Sequence, residues 1–216
     1  MPARALDPAG VALVDKPAGP SSFAIVAQIR RETRARTGHA GTLDPFATGL
    51  LLILSGRSTK LAPRLVGLDK RYRTTVDLTA TTTTGDPEGE VVERHVFPAE
   101  IDLESLRGEI ELPLPAASAV KIGGERAYKL HRRGVEVEMP VRRSTVYALD
   151  LVARDETSVT LDLHVSSGTY IRSIAQALGG HCVALRRTGV GPFGIDEARP
   201  PDAFALLPED EVLGRL

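Results

Sequence analysis

The sequence predicts an α+β fold with a mixed sheet, on three observations. Strand-like and helix-like segments are intermixed without the steady strand–helix–strand rhythm of a parallel sheet. One uninterrupted aliphatic run, residues 50–54, reads as a strand buried on both faces. Two alternating segments, 146–152 and 159–165, read as a hairpin. At 216 residues, with 42% apolar and 25% charged, the chain can bury a core without disulfide or metal staples.

The elements follow in order. Residues 10–14 form a short apolar strand, stopped by the turn Asp15-Lys16-Pro17-Ala18-Gly19-Pro20. Ser21 or Ser22 caps a helix to about Arg34, with Phe23, Val26 and Ile29, or Ile25 and Ile29, turned inward. Residues 37–48, rich in Gly, Thr and Pro, read as a loop leading into the strand at 50–54. A short helix over 59–66 is interrupted near Pro63. Strands at 72–78 and 91–96 flank a Thr-rich stretch and the turn Gly85-Asp86-Pro87-Glu88-Gly89. Residues 102–110 read as a helix capped by Asp102. Beyond the hairpin come a helix starting near Tyr170, a short strand at 183–185 and a final segment at 193–195.

Composition narrows the function classes. A single cysteine, Cys182, excludes a disulfide framework and any multi-cysteine zinc or iron–sulfur site. His181 beside it lacks further ligands, so no metal is expected. The longest aliphatic run is far below the ~20 residues of a membrane span, so no membrane partner is expected. The N-terminal MPARALDPAG lacks a signal-peptide apolar core, which makes a cytoplasmic location the expectation.

The net charge of −1 argues against a polyanion partner only until it is partitioned. Residues 1–75 carry +7, 76–120 carry −8, 121–199 carry +3 and 200–216 carry −3. Of the 27 cations, 22 are arginine, whose planar fork suits phosphate contacts and stacking on bases. Arg30, Arg31, Arg34 and Arg36 fall in one short segment, either an RNA-facing patch or a solvated helix face.

The segment Gly38-His39-Ala40-Gly41-Thr42-Leu43-Asp44-Pro45-Phe46-Ala47-Thr48-Gly49 carries the strongest chemical signal. Its glycines permit close approach or positive φ, and Pro45 stiffens the chain just after a carboxylate. Asp44 is either a turn cap or a nucleophile, base or electrostatic partner held over a cleft.

That segment closely resembles the catalytic loop of the TruB family of tRNA pseudouridine synthases. The resemblance continues through DKPAGPSS (15–22), KRYR (70–73), TTTTGDPEG (81–89), SAVKIGGERAYKLHRRG (118–134), SSGTYIRSI (166–174) and LRRTGVGPF (185–193). It implies the pseudouridine synthase fold, a mixed, mostly antiparallel sheet flanked by helices around a central active-site cleft. It also implies isomerisation of uridine without cofactor or metal, on a base flipped out of its stack. Asp44 matches the catalytic aspartate, Arg172 the arginine that pairs with and orients it, and Asp86 a second acid on that arginine. Tyr72 matches the tyrosine that stacks on the flipped base, while Tyr170 and Leu185 match residues lining the uracil pocket. His39 matches the histidine that helps hold the base out, and Lys16 with Pro17 is expected to shape the floor. The cations Arg126, Lys129, Arg132, Arg133, Arg142 and Arg143 lie in or beside an expected RNA-clasping insertion, 121–143. Arg30, Arg34, Arg126, Arg132 and Arg142 are the expected RNA-backbone contacts.

The resemblance therefore implies a catalytic domain over 1–199 acting on the T arm of tRNA, at position 55, as a monomer. Three departures accompany it. The family's Gln-x-Pro-Pro-x-aromatic-Ser-Ala element is here Leu112-Pro113-Leu114-Pro115-Ala116-Ala117-Ser118-Ala119, and the stretch from Arg172 to Leu185 is short. Residues 200–216 read as an acidic tail where the family's C-terminal RNA-binding domain, often of PUA type, is expected. Two alternatives stay open: an RNA-binding or tRNA-folding module with lapsed catalysis, and a synthase acting on another RNA uridine.

Overall fold

The protein is described from a computed structural model, covering residues 8–216. Residues 1–7, which carry the expected absence of a signal sequence and the start of the 1–199 domain, lie outside the described residues. The chain forms two compact units, one running to Tyr72 and resuming over Arg186–Leu216, the other Arg73–Leu185.

The first unit holds β1 (Gly10–Lys16), α1 (Ser22–Thr33), β2 (Thr37–Ala40), β3 (Thr48–Ser55) and α2 (Ala62–Gly67). It also holds the start of β4 (Lys70–Asp77). The second unit takes the rest of β4, then β5 (Ala80–Thr82), β6 (Val91–Arg94), β7 (Gly108–Pro113), β8 (Lys121–Ile122), β9 (Glu125–Arg126) and α3 (Ala127–Arg132). It continues with β10 (Val141–Arg154), β11 (Ser158–Val165), α4 (Ile171–Ala177) and the first half of β12 (His181–Val190). The end of β12, β13 (Phe193–Gly194), β14 (Leu206–Leu207) and α5 (Glu209–Gly214) return to the first unit.

In the first unit β3 is the central strand. It pairs antiparallel with β1 along its whole length, from Gly10↔Ser55 to Lys16↔Gly49. On its other edge β2 takes the C-terminal half, while Arg186↔Thr48 and Arg187↔Gly49 of β12 run parallel to its start. Coverage on both faces explains why its residues are aliphatic without alternation. Helix α1 is capped by Ser21, whose side chain accepts from Ala24 N at 3.2 Å. Ile25, Val26 and Ile29 are buried, so of the two inward faces the sequence allows, the one containing Phe23 fails: Phe23 is 70% exposed.

In the second unit β10 pairs antiparallel with both β11 and β7. Strand β11 alternates between buried and half-buried positions, as its period-two pattern requires.

Four local readings need correction. Residues 102–110 are not a helix: a single 3-10 turn, Glu104–Leu106, precedes β7, which enters the sheet from Gly108 at φ 76°. The first part of the 37–48 loop is strand β2. Pro63 stands in the first turn of α2 rather than breaking a helix, because a first-turn residue has no intrahelical N–H bond to lose. The short strand at 183–185 is the middle of a ten-residue strand.

The acidic segment 200–216 is likewise folded rather than trailing. Leu206 and Leu207 pair with β1, and Val212 joins the core formed by Val11, Leu13, Leu50, Leu52, Leu54 and Phe193. Lys60 meets Glu209 at 2.9 Å, which neutralises part of its charge.

Candidate active site

The connection from β2 to β3 carries Asp44, and donors from three other elements fix its path. Lys16, at the end of β1, is fully buried, and its ammonium donates to the carbonyls of Pro17 (2.8 Å), Pro45 (3.2 Å) and Ala47 (2.7 Å). Ser22, at the start of α1, donates its hydroxyl to the Leu43 carbonyl and accepts the Leu43 N–H, both at 2.8 Å. Arg187 of β12, only 1% exposed, donates Nε to the Leu50 carbonyl at 2.7 Å. Its terminal nitrogens donate to Gly41 at 3.0 Å and Thr42 at 3.3 Å. Leu43 and Ala47 are buried on either side of Asp44, which is itself half-exposed.

Two glycines let the backbone make this approach. Gly41 sits at φ 92° and Gly49 at φ 102°, conformations that side chains disfavour. A Cβ on Gly49 would lie 2.3 Å from the Arg187 carbonyl, so only glycine lets β3 and β12 come this close.

Positive charge collects beneath the loop. Burial pushes the Lys16 ammonium down to about 8 against the opposing charge of Asp44, and Arg187 adds to the fall. Lys70 is also pushed down to about 8, by burial and then Arg187, with Asp69 opposing. Its ammonium donates to the Val66 carbonyl at 2.6 Å and to that of Leu68. His39 in β2 is held below its ordinary value by burial and by Arg187. Its Nδ1 is buried without a hydrogen-bond partner. Both effects favour the neutral imidazole. Tyr72, on β4, is the remaining sequence-predicted residue of this unit, and it is buried.

The second unit gathers a different set. Arg172, in the first turn of α4, is 2% exposed and donates to Asp86 Oδ2 at 3.0 Å. The same guanidinium donates to the carbonyls of Thr84 (2.9 Å) and Ala117 (3.0 Å). Asp86 is equally buried, and its other oxygen accepts the Thr84 hydroxyl at 2.6 Å and the Glu88 N–H at 3.0 Å. Such a buried pair depends on these added hydrogen bonds to offset the loss of hydration. Tyr170, immediately before α4, lines a small cleft with Ile110, Leu112, Leu114, Arg142 and Ser173. Leu185 is buried in β12.

The expected RNA-backbone cations are distributed unevenly. Arg30 and Arg34 are exposed around the C-terminal end of α1, and among the described residues neither takes part in an ion pair. Arg34 caps the helix at φ 52°. Arg126 donates to the Ala119 carbonyl at 3.1 Å, and Arg132 lies 5.6 Å from the Tyr128 ring centroid. The Arg142 guanidinium packs against Gly168. Arg133 and Arg143 are engaged within the protein, by Glu125 and Glu111, each at 2.8 Å.

Sequence reasoning gave no role to Arg187, Ser22 or Lys70. The signal for Arg187 was present in LRRTG: on a strand where Leu185 and Gly189 face inward, the residue midway between them faces inward too. Among the described residues, no group of three or more His, Cys, Asp or Glu side chains could hold a metal ion, and no helix is long and apolar enough to cross a membrane.

Comparison with known proteins places the chain in a family. Residues 29–171 match the family described as TruB family pseudouridylate synthase, N-terminal domain. The tRNA pseudouridine synthase B of Mycobacterium sp. (strain KMS) is 46% identical across 92% of this chain and 73% of its own length. That of Nocardia farcinica (strain IFM 10152) is 44% identical across 96% and 74%. Among solved structures, an H/ACA ribonucleoprotein bound to a substrate RNA containing 2′-deoxyuridine matches with a TM-score of 0.63 and 26% identity. The match covers 87% of this chain and 49% of that one, so the chain spans about half the length of that structure. With two thirds of the chain matching the family and close relatives along nearly all of it, the chain belongs to the TruB family of pseudouridylate synthases.

Proposed function

We infer that the protein isomerises a uridine of tRNA to pseudouridine. The C1′–N1 bond breaks, the uracil rotates, C1′ joins C5, and the proton on C5 is lost as N1 gains one. The observation that carries this reading is the Asp44 loop, which resembles the family's catalytic loop and is held by donors from three elements while Asp44 is half-exposed. Fixing the backbone in advance helps orient the carboxylate, as catalysis by positioning demands.

In this reading Asp44 is the catalytic carboxylate. Arg172 orients it, and Asp86 holds Arg172 in place. Tyr72 stacks on the flipped base, since an aromatic face accepts any base, while Tyr170 and Leu185 line the uracil pocket. Lys16 supports the loop, and His39 helps keep the base extruded. Arg30, Arg34, Arg126, Arg132 and Arg142 take the phosphates of the T arm, and the target is the uridine at position 55. The enzyme acts as a cytoplasmic monomer and requires no metal or cofactor.

Purified protein incubated with unmodified tRNA, followed by pseudouridine mapping at nucleotide resolution, tests this reading. Product at position 55 is expected. Product at another uridine would overturn the assigned target, and tight binding without product would replace the enzyme with an RNA-binding module.

A further inference from the structure

We propose that Arg187 is a positioning residue for the reaction, holding both ends of the Asp44 loop in the arrangement that turnover requires. The proposal rests on Asp44 being the reacting carboxylate. Arg187 is buried in β12, and its three acceptors are carbonyls of the chain that carries Asp44. Gly41 and Thr42 stand where the loop leaves β2, and Leu50 stands where it has entered β3. One rigid guanidinium thus ties the entry of the loop to its exit.

A buried arginine is an expensive way to fill space. Burying its charge without a carboxylate among those acceptors costs free energy that a methionine of similar length would not incur. What a methionine cannot supply is a planar fork reaching three carbonyls at once. An ammonium is a single point with a different reach, so lysine keeps the charge but cannot satisfy Gly41, Thr42 and Leu50 together. Lys16 and Ser22 hold the middle and the far side of the loop, at Pro45, Ala47 and Leu43. Neither touches its entry, so loss of Arg187 leaves Gly41 and Thr42 without a side-chain anchor while the rest of the loop stays held. The predicted consequence is displacement of Asp44, not collapse of the fold, and displacement by about 1 Å can slow a reaction about 100-fold.

The test uses full-length Arg187→Lys and Arg187→Met, with Asp44→Asn as reference. Single-turnover rate constants are measured with saturating enzyme over tRNA, alongside tRNA Kd and Tm. A role confined to stability lowers Tm and the active fraction but leaves the rate constant unchanged. Positioning lowers the rate constant itself. Arg187→Lys is expected to fold, bind tRNA within twofold of the native protein, and turn over at least tenfold more slowly. Arg187→Met is expected to be slower still; if it fails to fold, Arg187→Lys decides. A rate constant for Arg187→Lys within twofold of native, with Asp44→Asn inactive, overturns this proposal alone. Turnover retained by Asp44→Asn overturns the assignment on which it rests.

Discussion

Each unit contains a buried arginine and an aspartate that the sequence singles out, but the two are arranged in opposite ways. In the second unit the carboxylate is taken up: Asp86 is buried, and Arg172, Thr84 and the Glu88 N–H together occupy both of its oxygens. In the first unit the arginine is taken up: Arg187 donates to three backbone carbonyls, and Asp44 stays half-exposed on the loop those bonds hold. A buried ion pair makes a rigid support and removes its carboxylate from chemistry. Asp44 differs in standing half-exposed on a loop that is fixed through its backbone. The two aspartates should therefore respond differently to the same substitutions.

The largest contrast is in stability. Asp86→Ala removes a buried carboxylate from the charged, buried Arg172, and should cost about 3–5 kcal/mol in equilibrium denaturation. Asp44→Ala removes a half-exposed side chain and should cost less than Asp86→Ala. Similar losses at the two positions would erase the distinction.

A smaller effect concerns RNA binding. Arg30 and Arg34 are exposed and make no ion pair among the described residues, so replacing either with glutamine should lower the slope of log K against log salt by about 0.7–0.9. Arg143 is already neutralised by Glu111, so Arg143→Gln should change that slope much less. Equal changes for all three would mean that the internal pair opens for RNA.

A further contrast is a pH effect seated in the first unit. Lys16 and Lys70 lose their protons at about 8 in the folded protein, against 10.5 when unfolded. Between those values the unfolded chain binds more protons, so stability should rise with pH through that window. Lys16→Met should flatten the rise. A fall in stability from pH 8 to 10 in the native protein would contradict the burial of these ammonium groups.

The sequence made the first unit easier to read than the second. The run 50–54, the Ser21 cap and the turn after β1 are local signals, and each corresponds to an observed element. Residues 102–110 misled because Asp102, Leu103, Leu106 and Ile110 have helical spacing, whereas pairing of 108–113 with β10 decides the outcome. The acidic 200–216 segment looked detachable because its few apolar residues, Leu206, Leu207 and Val212, show their value only when placed against β1 and the core. The site divides along the same line. Asp44, Asp86 and Arg172 stood out through motif resemblance, and the Arg172–Asp86 pair is present in the structure. Arg187 and Ser22 act on backbone atoms distant in sequence, and Lys70 on the carbonyls of Val66 and Leu68 just before it; spacing marks the face a residue takes, not the carbonyl it reaches.

The central claim is that Asp44 performs chemistry on a loop built before substrate arrives. It is tested most directly by single-turnover pseudouridine formation with Asp44→Asn on unmodified tRNA. Loss of product by at least a thousandfold, with tRNA Kd within a few-fold of native and an unchanged Tm, is the expected result. Turnover within tenfold of native would contradict it and would move the search for the reacting group elsewhere in the protein.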